Sequence, residues 1–325
     1  MRLPKFEYFE PRDLKEALSL LRDEPSAKIL AGGTDLLVNM KHRVECPQTI
    51  VNIKRIEGLD RIEQDHRGVR IGALTTLKRL YSTPLIAEKL PGLAEAAAAV
   101  GSYHHQVMGT VAGNLCQQNR CKFYNQSKQW RSSRPTCYKA GGEICHVLNK
   151  KEVCYSSYCG DLAPVLLVLN ARLVLTGPED RREMALEAFY SGDGKAPLGF
   201  NPGEILTEII VPKDAAEGGS CYTKFANRES IDFPIVGAAS WASAERKECR
   251  VAFTAVDRKP LRANQVEAFL NGKDLTEQTV NEAAGLASKA AGPVKTSVYS
   301  PSFKRRMMGL LLQDTVGQAV RRSHS

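Results

Sequence analysis

Gly109-Thr110-Val111-Ala112-Gly113-Asn114 is a run of small residues that leads straight into the densest cysteine region of the chain. Residues this small let a backbone come close to a ligand. Six of the nine cysteines follow: Cys116, Cys121, Cys137, Cys145, Cys154 and Cys159. In a reducing compartment such a density reads as metal or cluster ligation before disulfides. The same segment is basic. Between Gln117 and Cys159 eight Lys or Arg stand against Glu143 and Glu152, which is +6 of the chain's total of +9.

Working outward, a second glycine turn lies upstream. The apolar stretch Ala27 to Leu30 reads as a strand, Leu37 to Arg43 as a helix, and Ala31-Gly32-Gly33-Thr34-Asp35-Leu36 joins them. A strand, a tight turn and a helix start aim several N–H groups at one point, which suits a phosphate. Alone, a Gly-Gly turn is more often plain punctuation, and neither the G-x-G-x-x-G nor the P-loop pattern occurs. Two such turns in one region point to a phosphate-bearing cofactor.

Around the turns, periodicity predicts a helix over 12–23, a strand at Thr49 to Ile53, and a hairpin from Arg61 to Ile71 turning at Asp65 to Gly68. Thr75 or Thr76 is the expected cap of a following helix, and Leu93 to Val100 reads as an alanine-rich helix. Leu162 to Asn170 is an apolar run, Ala171 to Leu175 a strand, and Glu204 to Pro212 another. Beyond residue 214 three apparent strands precede three helical patterns, an α+β texture. The division expected is 1–55, then 56–214 carrying an insertion at about 117–160, then 215–325.

At 325 residues and 43% hydrophobic content the chain has room for more than one core. The N-terminal residues lack the apolar centre of a signal peptide, and no run approaches a membrane span, so the expected location is cytoplasmic with no membrane contact. The positive charge clusters around cysteines and not on a nucleic-acid motif, so no nucleic-acid partner is expected.

Taken together, these residues resemble the FAD-binding subunits of the molybdenum hydroxylase family, the relatives of xanthine dehydrogenase and carbon monoxide dehydrogenase. The resemblance is carried by Ala31 to Leu36, Ile71-Gly72-Ala73-x-Thr75-x-Leu77, Gly109 to Asn114, Asp161-Leu162-Ala163-Pro164, Glu204-Ile205-Leu206, Lys224-Phe225-x-x-Arg228 and Asp232-Phe233-Pro234, in the family's order. It implies an α+β fold: a vanillyl-alcohol-oxidase-type FAD-binding unit in two subdomains, then an α+β domain built on a three-stranded antiparallel sheet. It also implies that FAD meets Ile29, Leu30, Ala31, Gly32, Gly33, Thr34, Asp35 and Leu36 on one turn and Thr110, Val111, Ala112, Gly113, Asn114 and Gln117 on the other. Asp161 would meet the adenosine half, and Leu206 and Lys224 would line the cleft. Ala112 departs from the family, which usually has glycine there; were a positive φ required, Ala112 would be strained.

The insertion is similar to that of the 4-hydroxybenzoyl-CoA reductase branch, around Asn114 to Gln117, Arg120 to Ser127, Trp130-Arg131 and Cys145-His146-Val147. That likeness implies a [4Fe-4S] cluster on Cys121, Cys137, Cys145 and Cys154. Zinc stays an alternative, although these four lack the paired knuckles usual in zinc modules. Cys116 and Cys159 read as packed residues that could replace a ligand, and Cys46, Cys221 and Cys249 as structural. His104, His105 and His146 read as solvated or hydrogen-bonded. The resemblance further implies an electron-transfer subunit with no general acid or base of its own. Its partners would be a molybdopterin-binding large subunit and a small subunit with two [2Fe-2S] clusters, in a heterohexamer fed by ferredoxin, whose electrons would serve removal of a phenolic hydroxyl from an aryl-CoA. Alternatives are the flavin subunit of another molybdenum hydroxylase passing electrons to NAD or oxygen, and a cysteine-rich metal module without redox role.

Overall fold

The computed structural model describes residues 2–323. The helix α1 (Leu14–Asp23) starts where Asp13 accepts the Glu16 N–H at 2.8 Å and buries the predicted apolar face, Ala17, Leu18 and Leu21. Beside it lie three parallel strands, β1 (Glu7–Phe9), β2 (Lys28–Leu30) and β3 (Thr49–Asn52), in the order β1-β3-β2. The helix α2 (Leu36–Lys41) follows the first glycine turn. β1 carries no sequence signal: it is three residues long and exposed throughout, so no alternation marks it.

The second sheet begins with the predicted hairpin, β4 (Ile62–Asp65) and β5 (Gly68–Gly72). Five helices come next: α3 (Leu77–Ser82), α4 (Pro84–Lys89), α5 (Pro91–Ala98), α6 (Tyr103–Met108) and α7 (Val111–Leu115). Thr76 caps α3, accepting from the Arg79 N–H at 3.2 Å. The insertion holds α8 (Lys128–Ser132) and a two-residue hairpin, β6 (Ile144–Cys145) with β7 (Lys150–Lys151). The apolar run after it is the helix α9 (Leu162–Val168), whose seven side chains are all buried; a helix covered on every side shows no amphipathic period. Then come β8 (Arg172–Thr176), β9 (Arg181–Ala185), α10 (Leu186–Phe189) and β10 (Ile205–Pro212), completing an antiparallel sheet ordered β4-β5-β10-β8-β9.

The last unit is a meander of β11 (Gly219–Phe225), β12 (Val236–Ser243), β13 (Glu248–Thr254) and β14 (Leu261–Arg262), followed by α11 (Asn264–Leu270), α12 (Glu277–Ala287) and α13 (Pro301–Ser323). The two-residue β14 adds a fourth strand to the three expected from the sequence. Both faces of this sheet are covered. Ala239, Trp241 and Ala252 join the core formed by α5, α9 and β10, whereas Val236, Ala238, Val251 and Phe253 pack with α11 to α13. Every residue of β12 is therefore buried, and Gly, Ala and Ser fill most of it. Among the described residues no helix is long and apolar enough to cross a membrane.

Candidate cofactor site

The two glycine turns touch. A Cβ on Gly32 would fall inside the Met108 carbonyl oxygen and 2.8 Å from the Gly109 Cα, so only glycine allows this approach. Gly33 serves a different purpose: its φ of 74° is left-handed backbone, which turns the chain from β2 into α2. Among the described residues the N–H groups of Gly32, Gly33, Thr34, Asp35 and Leu36 donate to no protein acceptor, while the helix bond from the Leu37 N–H to the Gly33 carbonyl follows at once. The second turn is arranged otherwise. Thr110 caps α7 by accepting the Gly113 N–H at 3.1 Å, and the N–H groups of Val111, Ala112 and Asn114 donate to the carbonyls of Thr75, Ala73 and Thr110. The first turn thus offers donors and the second offers shape.

Between them a cleft opens, lined by Thr34, Asp35, Gly109, Thr110, Gly113, Asn114, Gln117, Arg120 and Asp161, and closed on the far side by Ile231, Asp232 and Phe233 of the last unit. The closing loop is tied down by the Ile231 N–H to the Gly101 carbonyl at 2.8 Å and by Lys224 Nζ to the Asp232 carbonyl at 2.8 Å. At the inner end Asp161 accepts from the Tyr222 hydroxyl at 2.7 Å and faces Lys224 Nζ at 3.3 Å. Burial raises its pKa, against the lowering effect of Lys224 and Tyr222. Asp35 ties the first turn to the insertion: it accepts the Gln118 N–H at 3.0 Å and pairs with Arg120, whose guanidinium lies 4.6 Å from the Phe233 ring centre.

Several expected residues stand back from the cleft. Leu206 faces the core and is 4% exposed. Val111 is also core, Ile29 and Leu30 end β2 behind the turn, and Leu36 packs against Met40 and Ile50. Lys224 acts through Asp161 and Asp232. Ala112 is helical with no positive φ, so it carries no strain. Val100, Gly101 and Ile231, which carry no sequence signal, also line the cleft, and so does His105, expected to be solvated or hydrogen-bonded. His105 is held by Ser102 Oγ at 2.8 Å and His146 by the Pro135 carbonyl at 2.8 Å.

A second, small cavity, of about 10 Å³, is lined by Cys121, Cys137, Cys145 and Cys154 together, with Phe123, Tyr138, Lys139 and His146. Among the described residues no three His, Cys, Asp or Glu side chains converge as one metal ion requires. A cubane spaces its four thiolates more widely than a single ion does, and it is the shared cavity that bears on that larger group. Burial pushes the Cys121 thiol up to about 11, with Cys154 and Cys145 adding to the rise. Lys139 is brought down to about 8 by the same burial, and Nζ donates to the Asn119 carbonyl at 3.2 Å. Cys159 lies elsewhere, buried near Lys304 and Arg120, its thiol pushed up to about 11. Cys116 packs against the core that contains Tyr158 and Tyr190.

Residues 4–214 match the model of the FAD binding domain in molybdopterin dehydrogenase, and residues 220–319 that of the CO dehydrogenase flavoprotein C-terminal domain. The chain belongs to this flavoprotein family. Among its relatives are the nicotinate dehydrogenase FAD-subunit of Eubacterium barkeri, 30% identical over 85% of this chain and 82% of that one, and the carbon monoxide dehydrogenase medium chain of Hydrogenophaga pseudoflava, 29% identical over 97% of each. The solved structure of that carbon monoxide dehydrogenase superposes with a TM-score of 0.81 at 28% identity, covering 99% of both chains. This member of the molybdopterin dehydrogenase flavoproteins is thus an FAD-binding oxidoreductase subunit, and names such as "medium chain" and "FAD-subunit" mark its relatives as parts of multi-subunit enzymes. The unpartnered N–H groups of Gly32 to Leu36 fit the pyrophosphate of an FAD.

Proposed function

We propose that this flavoprotein carries both FAD and a [4Fe-4S] cluster, as the electron-transfer subunit of a complex of the 4-hydroxybenzoyl-CoA reductase kind. The observation that carries the reading is that Cys121, Cys137, Cys145 and Cys154 all line one small cavity, set next to the flavin cleft in the chain itself: Arg120 lines the cleft and Cys121 the cavity. FAD exchanges one or two electrons, and a thiolate-held cubane exchanges one. The protein's own part is to place, cover and charge-compensate these groups. Gly32 to Leu36 would hold the pyrophosphate, with Gly113, Asn114, Gln117 and Asp161 along the cleft. Lys139, half-buried beside the cysteines, would offset part of the thiolate charge. Substrate chemistry would belong to a molybdopterin-binding large subunit, and a small subunit with two [2Fe-2S] clusters would complete a cytoplasmic heterohexamer supplied by ferredoxin.

A second reading is favoured by the relatives named above for nicotinate and carbon monoxide: a flavin subunit serving another substrate and another carrier. Anaerobic purification of the complex decides between them. The first reading expects FAD together with about four iron and four acid-labile sulfide on this subunit, and a large subunit that dehydroxylates an aryl-CoA with reduced ferredoxin. Flavin without sulfide, or zinc in place of iron, removes the cluster. A large subunit acting on a different substrate leaves the flavin role standing and transfers the chain to the second reading.

A further inference from the structure

The insertion has another concavity, adjoining the cysteine cavity and of about 260 Å³, lined by Phe123, Lys128, Arg131, Arg134, Cys137 and His146 among others. Cys137 lines both this concavity and the cysteine cavity, and it is the only one of the four cysteines that is not buried. No acid lines the concavity. Neither of the insertion's two acids lines it: Glu143 approaches Lys151 at 4.0 Å and Glu152 follows in the chain, so the formal charges of Glu143, Lys150, Lys151 and Glu152 sum to zero. The unbalanced positive charge therefore belongs to the face around Lys128 and Arg134, both exposed.

We infer that this concavity is where an acidic protein electron carrier docks, with Lys128 and Arg134 as contacts beside Cys137. The inference rests on the electron-transfer reading proposed above. The arrangement of the cations favours a protein over a small anion. Arg131, the least exposed arginine of the concavity, already donates to the carbonyls of Arg43 at 2.6 Å and of Gln126 at 3.2 Å. Arg134 is flat against Trp130, 3.5 Å from its ring centre, with its edge toward solvent. Charges held at a rim steer and orient a large oppositely charged partner, whereas a phosphate cradle needs buried donors converging on one point.

The test titrates a purified acidic ferredoxin in its oxidised form against the intact complex, at low and high salt, by calorimetry. Reversing Lys128→Glu with Arg134→Glu should raise the low-salt Kd about tenfold or more. The milder pair Lys128→Gln with Arg134→Gln, whose planar amide can still cover Trp130, should move it the same way by less. Lys150→Glu with Lys151→Glu should leave it nearly unchanged, and high salt should erase the differences. Iron, sulfide and dithionite reduction are measured on the same samples. Their absence from the unaltered complex counts against the cluster, not against the docking face. The docking face is overturned by an unaltered complex that does not bind, by a Lys128/Arg134 reversal without effect, or by equal loss in the Lys150/Lys151 pair. It is also overturned if inorganic phosphate displaces the ferredoxin better than chloride of equal ionic strength, which would make the concavity a small-anion site.

Discussion

Gly32, Gly33 and Gly113 sit within one site and are glycine for three different reasons. Gly33 needs its left-handed φ of 74°, so Gly33→Val would disturb the turn itself and flavin loss there would not isolate a contact. Gly113 is helical, and a Cβ on it would meet only Thr110 Oγ1, at 3.0 Å. Gly113→Val should therefore fold, with an unfolding midpoint close to that of the unaltered chain, and bind FAD about 10- to 100-fold more weakly, as overpacking of about 1–3 kcal/mol implies. Flavin titration of the stripped protein measures this, and unchanged affinity would free the second turn of any role at the cofactor. Asp35→Asn tests the tie to the insertion. Asp35 is about a quarter exposed and Arg120 less, so the loss, read by urea unfolding, should be about 1–2 kcal/mol.

At the scale of elements, the four cysteines should act as one set. Serine at Cys121, Cys137, Cys145 or Cys154 should remove iron and sulfide together, and serine at Cys159, which lies outside the cavity, should leave both; metal and sulfide assays separate the two outcomes. β12 links two functions less visibly. A Cβ on Gly237 would come within 2.6 Å of the Tyr222 hydroxyl, the group that bonds Asp161. Gly237→Ala should cost about 1–3 kcal/mol and lower flavin occupancy by displacing the Tyr222 hydroxyl, whereas normal occupancy would show that this hydroxyl is dispensable. Elements with a local signal were legible in the sequence: the Asp65 to Gly68 hairpin by its turn residues, α1 by its period and α3 by its Thr76 cap. What was illegible depends on tertiary surroundings. β1 exists only through its parallel pairing with β3, α9 is covered all round, and whether Leu206 faces core or cleft is set by packing that its strand pattern does not encode. The closing loop could have been found, because Asp232-Phe233-Pro234 already stood out as a motif.

For the whole molecule, the last unit is not an appendage. One face of its sheet completes the core of the unit before it, and Tyr222 and Lys224 satisfy the buried Asp161 carboxylate. A chain cut after residue 214 should expose that core and leave Asp161 without its partners, so it should be recovered aggregated and flavin-free; a soluble yellow fragment would contradict this. The contact between Gly32 and the Met108 carbonyl has a different consequence. Two turns packed backbone against backbone leave no gap between them through which a bound dinucleotide could leave. Exchange has to go by the narrow mouth under Phe233 or wait for the turns themselves to come undone. Flavin release should then be slow in dilute buffer and quick only once a chaotrope loosens the seam.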